Sequence, residues 1–472
     1  MRKQMINNEE LLRGGRFPSL LLKLSLPAVL VTMVIVLYNI ADTLFIGQTG
    51  DPNKVAAVSL ASPAFTVLTG LGVLLGQGGC TAASLALGRG DYGRIRRISA
   101  FCLWAALAIG LAFAAGALVF LEPLCALLGA DGQTMGFTKD YMRLCALGAP
   151  AIIFSNVAPS LIRADGSVRV GLAGNFLGTA VNIALDPLLI LGLDWGVSGA
   201  ALATVLGNVA ASLCYLRFLR GGKSVYSLSL RDVSLSVARP VVSLGLPMAC
   251  STILMSVSSA VANNRMMMYG PTSLAAQSVA GKVGMLISMV IIGIGVGMQP
   301  AISFNYSAEN KARLREIVRK TAAAAVIAGA ALSGLCLAFS DSVLAAFLNN
   351  EEVLRVGKCC LYAAAAAGPF YGVYQVATTY LQATGKTGRA LAAALLEKGL
   401  IFLPALFLMQ AAFGMNGLIF AGAVTTLLST VAALILCRKA VKGVKTHEQG
   451  EKRAIQGDRP AHSGLCAERT AA

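Results

Sequence analysis

The sequence predicts an all-α integral membrane protein, twelve transmembrane helices arranged as two pseudo-symmetric six-helix lobes. Three observations predict it: the composition, the recurrence of long apolar runs, and a repeat that maps one half of the chain onto the other. Of 472 residues, 56% are apolar before the 50 glycines are counted, and only 13% are charged; in soluble globular chains about a quarter are charged. With a mean hydropathy of +0.71, the apolar surface exceeds what a soluble fold can hide, whereas a bilayer accepts it directly.

Windows of ~20 mostly apolar residues, enough to cross ~30 Å of hydrocarbon at about 1.5 Å per residue, recur along the chain. They fall at 22–47, 56–87, 98–121, 139–162, 171–192, 197–219, 240–268, 274–305, 319–340, 354–383, 389–410 and 415–437. Runs this long lack the short alternation of a membrane barrel, so each is read as helix. Basic residues set the orientation. The amino-terminal segment, the alternate loops and the tail on one side carry 31 of the 39 Lys and Arg, which places both termini in the cytoplasm. That requires an even number of spans, and twelve is even.

The chain therefore divides into a cytoplasmic segment 1–21, a first lobe 22–219, a polar linker 220–239, a second lobe 240–437 and a tail 438–472. The tail is polar and reads as disordered, with weak affinity for anionic lipid.

At an offset of 219 to 220 residues, Leu24, Leu26 and Pro27 meet Leu244, Leu246 and Pro247. Gly76 and Gly78 meet Gly295 and Gly297, Arg94 and Arg96 meet Arg313 and Arg315, and Pro150 meets Pro369. Each half holds an even number of spans, so both enter from the same side and the repeats are parallel, related by an axis along the membrane normal.

Several functions are excluded. The net charge of +17 is spread over loops between apolar runs rather than gathered in an aromatic-interleaved domain, which argues against nucleic acid as a partner. The eleven cysteines contain no CxxC pair and lie mostly in apolar runs, as small hydrophobes do. Both histidines, His447 and His462, are in the tail, so no histidine triad, metal site or proton relay lies within the membrane. The glycine-rich stretches 70–79 and 293–297 lack the lysine and serine of a phosphate loop and read as close helix packing. Asn305-Tyr306-Ser307 fits a glycosylation pattern but faces the cytoplasm.

Three acids lie well inside spans: Asp42, Asp186 and Glu397. An ionisable group at that depth costs on the order of 2.5–3.5 kcal/mol or more, so each is a functional candidate. At about 1.5 Å per residue, Asp42, Asp186 and Thr204 lie ~8, ~9 and ~12 Å from the outer ends of their spans, on one level. Asn182 stands four residues before Asp186, on the same helix face, and Pro187 frees the carbonyl of Ile183. Carboxylates, an amide, a hydroxyl and a loose carbonyl suit a hard monovalent cation, or a carboxyl pair lifted by burial until it titrates near neutrality. Glu397 is followed by Lys398, and the two charges can neutralise one another.

These residues resemble the multidrug and toxic compound extrusion (MATE) transporters of the MOP flippase superfamily, in particular their DinF-like branch. The resemblance covers nearly all of residues 20–437. It is carried by Leu26-Pro27, Tyr38-Asn39-Ile40-Ala41-Asp42, Phe45-Ile46-Gly47, Leu87-Gly88-Arg89-Gly90-Asp91, Arg163-Ala164-Asp165-Gly166 and Asn182-Ile183-Ala184-Leu185-Asp186-Pro187.

The resemblance implies a monomeric secondary active antiporter in a bacterial or archaeal cytoplasmic membrane. Such a protein is not an enzyme and needs no cofactor; it exchanges H+ or Na+ for cationic, amphipathic small molecules by alternating access. It places the cation at Asp42, Asn182, Asp186 and Thr204, while Tyr38, Asn39, Tyr141, Asn156 and Glu397 are assigned to the substrate cavity. The seventh span has no glutamate and the tenth no aspartate, unlike the branch that seats its cation in the second lobe. Glu397-Lys398 stands where relatives often carry Arg-Gln. The alternatives are a lipid-linked oligosaccharide or lipid flippase of the same superfamily, an exporter of an endogenous metabolite and, more remotely, a membrane enzyme.

Overall fold

A computed structural model describes the chain apart from residues 1–9, 50, 165, 222–224, 341–350 and 458–472; the side chains of 35–44, 47, 52, 271–272, 274–275, 279, 351–354 and 439–457 also lie outside the description. Every predicted apolar run is helical. In chain order the long helices are α1 (Leu26–Gly47), α2 (Pro52–Gly88), α3 (Tyr92–Val119), α4 (Met135–Arg163), α5 (Val168–Asp186) and α6 (Gly196–Arg220). They continue with α7 (Ala238–Met267), α8 (Pro271–Ser307), α9 (Lys311–Ala338), α10 (Glu351–Ala383), α11 (Thr387–Leu395) and α12 (Phe402–Gly457). No strand occurs among the described residues.

Ten helical stretches among the described residues are long and apolar enough to cross a membrane. The predicted eleventh and twelfth spans fall inside one of them, Thr387–Arg438. They separate at Gly414, whose φ of 59° and ψ of −135° break α12. Beyond the break, Leu436 and Cys437 pack beside Leu381 and Ala390, so the chain has doubled back to the start of α11. The predicted tenth span, α10, is not among the ten, because Lys358, Gln375, Thr378, Thr379 and Gln382 dilute its apolar stretch. Helical backbone also runs on to Gly457, past the expected onset of disorder at 438; lysine, glutamate and glutamine there are good helix formers in their own right.

Among the described residues three π-helical turns interrupt the ladder: Leu21–Ser25 before α1, Pro187–Gly192 after α5, and Leu396–Leu400 after α11. The second begins at Pro187, which has no N–H to continue an α-helix. Such insertions often mark functional positions, and two of these follow or contain a candidate acid.

The two halves meet at the end that carries the basic loops. Val241 and Gly245 of α7 lie so close to Gly78 of α2 that any side chain there would collide with backbone. The repeat-related contact is made by Gly297 of α8, where a Cβ would sit 2.6 Å from Ser25 Cα. Between them Gln299 Nε2 donates to Thr81 Oγ1 at 2.8 Å, both side chains buried. The amino-terminal segment is packed into this seam: Leu12 and Leu20 are fully buried, Asn305 Nδ2 donates to the Leu12 carbonyl at 2.8 Å, and Arg313 donates to that of Gly15. The glycosylation-like asparagine is thus a buried structural clamp. In the loop before α4, the Thr134 hydroxyl and backbone N–H donate to Asp131 and hold its carboxyl below the usual carboxylate range.

Candidate functional site

The site begins with a close crossing of α5 and α6. A Cβ on Gly178 would stand 2.7 Å from the Gly207 carbonyl, and one on Gly207 would stand 2.6 Å from the Gly178 carbonyl. Glycine at both positions lets the two backbones touch, and this brings residues one turn away together. Asn182 Nδ2 lies 3.5 Å from both Asp186 Oδ1 and Thr204 Oγ1. All three side chains are buried, Asp186 completely. These are long contacts for hydrogen bonds, so the cluster is loosely held. Asn182 Oδ1 has no hydrogen-bond partner among the described residues.

The predicted Asp186, Asn182 and Thr204 are therefore brought together. Tyr38, Asn39 and Asp42 lie on the α1 backbone, but their side chains are outside the described residues. What is described of α1 runs alongside α5: Ile46, four residues after Asp42, packs against Ile190, four residues after Asp186.

Asn182 and Thr204 also line a cavity of about 340 Å³ between α2, α4, α5 and α6. Asn156 lines it too, together with Thr69, Ser155, Asn175, Thr179 and Asn208, which sequence reasoning did not single out. No charged residue is among those lining it. Its amides share one habit: Asn156, Asn175 and Asn208 each donate Nδ2 to the carbonyl four residues earlier, on Ile152, Gly171 and Thr204, at 2.8 to 2.9 Å. Asn175 gives its other proton to Tyr215 Oη at 2.8 Å, and Ser155 donates to Asn208 Oδ1 at 2.6 Å. Much of the donor capacity is spent on the helices themselves, which leaves acceptor oxygens for an occupant. The only signal in the sequence was mid-span asparagine on adjacent spans.

Two predicted cavity residues are elsewhere. Tyr141 packs in an apolar cluster with Met142, Cys145, Val197 and Ala201. Glu397 sits in the second half, inside the π-helical turn, with Lys398 Nζ 2.6 Å from its Oε1. Among the described residues no three His, Cys, Asp or Glu side chains gather as a metal site. The cluster's oxygens are those of the Asp186 carboxylate, Thr204 Oγ1 and Asn182 Oδ1, with Asn182 Nδ2 facing the first two.

Long apolar helices, ten of them among the described residues able to cross a membrane by length and composition, with a buried polar cluster in the first half, define the class of multi-pass membrane protein. The MatE family model matches the chain twice, over residues 27–188 and 247–408. The chain is 30% identical over 414 residues to the multidrug export protein MepA of Staphylococcus aureus (strain NCTC 8325 / PS 47), covering 87% of this chain and 91% of that protein. MepA of Staphylococcus saprophyticus subsp. saprophyticus is 29% identical over the same shares. Among solved structures, an outward-facing conformation of a multidrug resistance MATE family transporter of the MOP superfamily superposes with a TM-score of 0.87, at 23% identity, over 93% of this chain and 98% of that one. A MATE crystal structure in complex with MaL6 gives 0.88 at 22% identity, over 93% and 99%. The chain belongs to the MatE family.

Proposed function

We propose that the protein is a multidrug efflux antiporter that exchanges H+ or Na+ for cationic, amphipathic small molecules by alternating access between two six-helix lobes, 22–219 and 240–437. The observation that carries this reading is the cluster of Asp186, Asn182 and Thr204, fully or almost fully buried and adjoining the acceptor-lined cavity. A carboxylate at that depth is stabilised by taking up a proton or a small cation, and the long 3.5 Å contacts from Asn182 Nδ2 to Asp186 Oδ1 and Thr204 Oγ1 leave slack for the cluster to rearrange around one. Asp42 joins the cluster from α1 in this reading. The absence of acids from α7 and from residues 353–383 of α10 supports seating the ion in the first lobe, as in the DinF-like branch.

With both termini in the cytoplasm, the seam at Thr81–Gln299 closes the cytoplasmic end, and the ion enters from the opposite side. Binding at Asp42 and Asp186 lowers the local charge, α1 repacks against α5, and a substrate cation held by the cavity's acceptors is released outward. Each proton supplies roughly 2.3 kcal/mol per 100 mV and about 1.4 kcal/mol per pH unit. For a monovalent cation exchanged one for one with a proton the voltage contributions cancel, so each pH unit supports about a tenfold substrate gradient. Uncharged lining in the cavity favours this reading over a flippase for lipid-linked oligosaccharide, whose anionic cargo requires basic walls. The test is efflux of ethidium from proteoliposomes with ΔpH and sodium gradients imposed separately. Gradient-driven efflux that is lost in Asp42→Asn supports the reading, and full coupled efflux in that variant refutes it.

A further inference from the structure

The second half holds its own constellation of charge and aromatic rings, apart from the cavity of the first. In an α-helix, consecutive side chains diverge by ~100° and do not face one another. Within the π-helical turn Leu396–Leu400 the long side chains of Glu397 and Lys398 nevertheless reach across to one another, with Nζ 2.6 Å from Oε1. The pair is layered: Lys398 keeps 22% of its side chain exposed and Glu397 only 6%. Lys398 is thus the less enclosed member of the pair.

Two rings flank the pair. Lys398 Nζ lies 5.9 Å from the centroid of Tyr371, and Tyr371 stacks on Tyr374 with centroids 6.1 Å apart. The backbone around the pair is clipped from both sides. Ser258 of α7 donates to the Lys398 carbonyl, and Tyr374 of α10 donates to that of Ala393 at 3.2 Å. The backbone of the turn is thus held in place on two sides. A carboxylate beside aromatic faces is the chemistry that binds organic cations, and here the side chain of the next residue occupies that position.

We propose that Glu397, Tyr371 and Tyr374 form a second binding subsite, for aromatic organic cations, and that Lys398 is its tethered occupant, displaced when such a ligand binds. The exchange replaces one cation by another at the same carboxylate, so Glu397 stays paired throughout and the freed ammonium moves toward water on its exposed side. Lys398 thereby sets the threshold a ligand must exceed. The proposal rests on the reading that the protein handles organic cations, but it is tested by binding rather than by transport.

Ethidium is titrated against the purified full-length protein and its fluorescence anisotropy read at about pH 9, well above the ordinary carboxylate range. Lys398→Met keeps the stem and removes the competing charge; it is expected to tighten ethidium binding about tenfold. Glu397→Gln is expected to weaken binding, and adding Lys398→Met to it is expected to give no gain. Unchanged affinity in Lys398→Met, or a gain that persists in the double variant, overturns the proposal. Should Lys398→Met elute as an aggregate, Tyr371→Leu leaves the ion pair in place and must still weaken binding; unaltered affinity there is equally fatal. Failure of Asp42 or Asp186 to couple efflux would refute the first-half reading and leave these binding results standing.

Discussion

The two halves bury a carboxylate in opposite ways. Around Asp186 the first half places an amide, a hydroxyl and an acceptor-lined cavity. The second half gives Glu397 a built-in counter-ion one residue away and stacks two tyrosines beside it. Asp186 is thus set beside neutral polar side chains, whereas Glu397 is set beside a cation supplied by the next residue. One repeated fold therefore carries two differently dressed carboxylates, and the proposed roles differ accordingly.

The sharpest test of this contrast exchanges each acid for its amide. Asp186→Asn is expected to reduce gradient-driven ethidium efflux to background. Glu397→Gln should leave the gradient dependence intact and raise KM, a split that initial rates at several ethidium concentrations resolve. Loss of coupling in both variants would erase the distinction between the halves.

A smaller effect concerns the glycines. Gly207→Val forces a side chain against the Gly178 carbonyl; such overpacking costs about 1–3 kcal/mol, and spreading α5 from α6 also separates Asn182 from Thr204. A methyl group added to Gly422 of α12 would meet no atom within 4 Å, so Gly422→Ala should stabilise the protein by about 0.5–1 kcal/mol through helix propensity. Thermal unfolding in detergent compares the two, and a destabilised Gly422→Ala would show that the second half is as tightly constrained there as the α5–α6 crossing.

Smallest are the single hydrogen bonds. Tyr215→Phe removes the contacts to Asn175 and the Gly171 carbonyl, and Ser258→Ala removes the clip on Lys398. Each is expected to cost about 0.5–1.5 kcal/mol. Of the two, only Ser258→Ala should alter ethidium affinity at the Glu397 subsite, because it alone releases the π-helical turn.

How much of the site was legible follows from spacing. Asn182 and Asp186 stand four apart, so their shared face could be read from helix geometry, and equal depth brought Thr204 to the same level. Asn175, Ser155 and Asn208 were not legible as cavity residues, because a mid-span asparagine or serine serves equally well to join helices; the i−4 back-bonding that aims the two asparagine oxygens is a property of rotamers. Tyr141 had the depth and polarity of a cavity residue, yet neighbours from separate helices enclose it in an apolar cluster. Leu12 lies in a segment expected to be cytoplasmic, and its burial depends on α8 and α9, almost 300 residues away.

From the sequence alone came the membrane-spanning helices and their repetition, because hydrocarbon thickness and the need to satisfy every backbone group within a helix act on each span separately. Which polar groups share a chamber was decided only in three dimensions. It depends on where glycine lets two backbones touch and on which neighbouring helices close around a polar turn, and both are relations between elements that no single span contains.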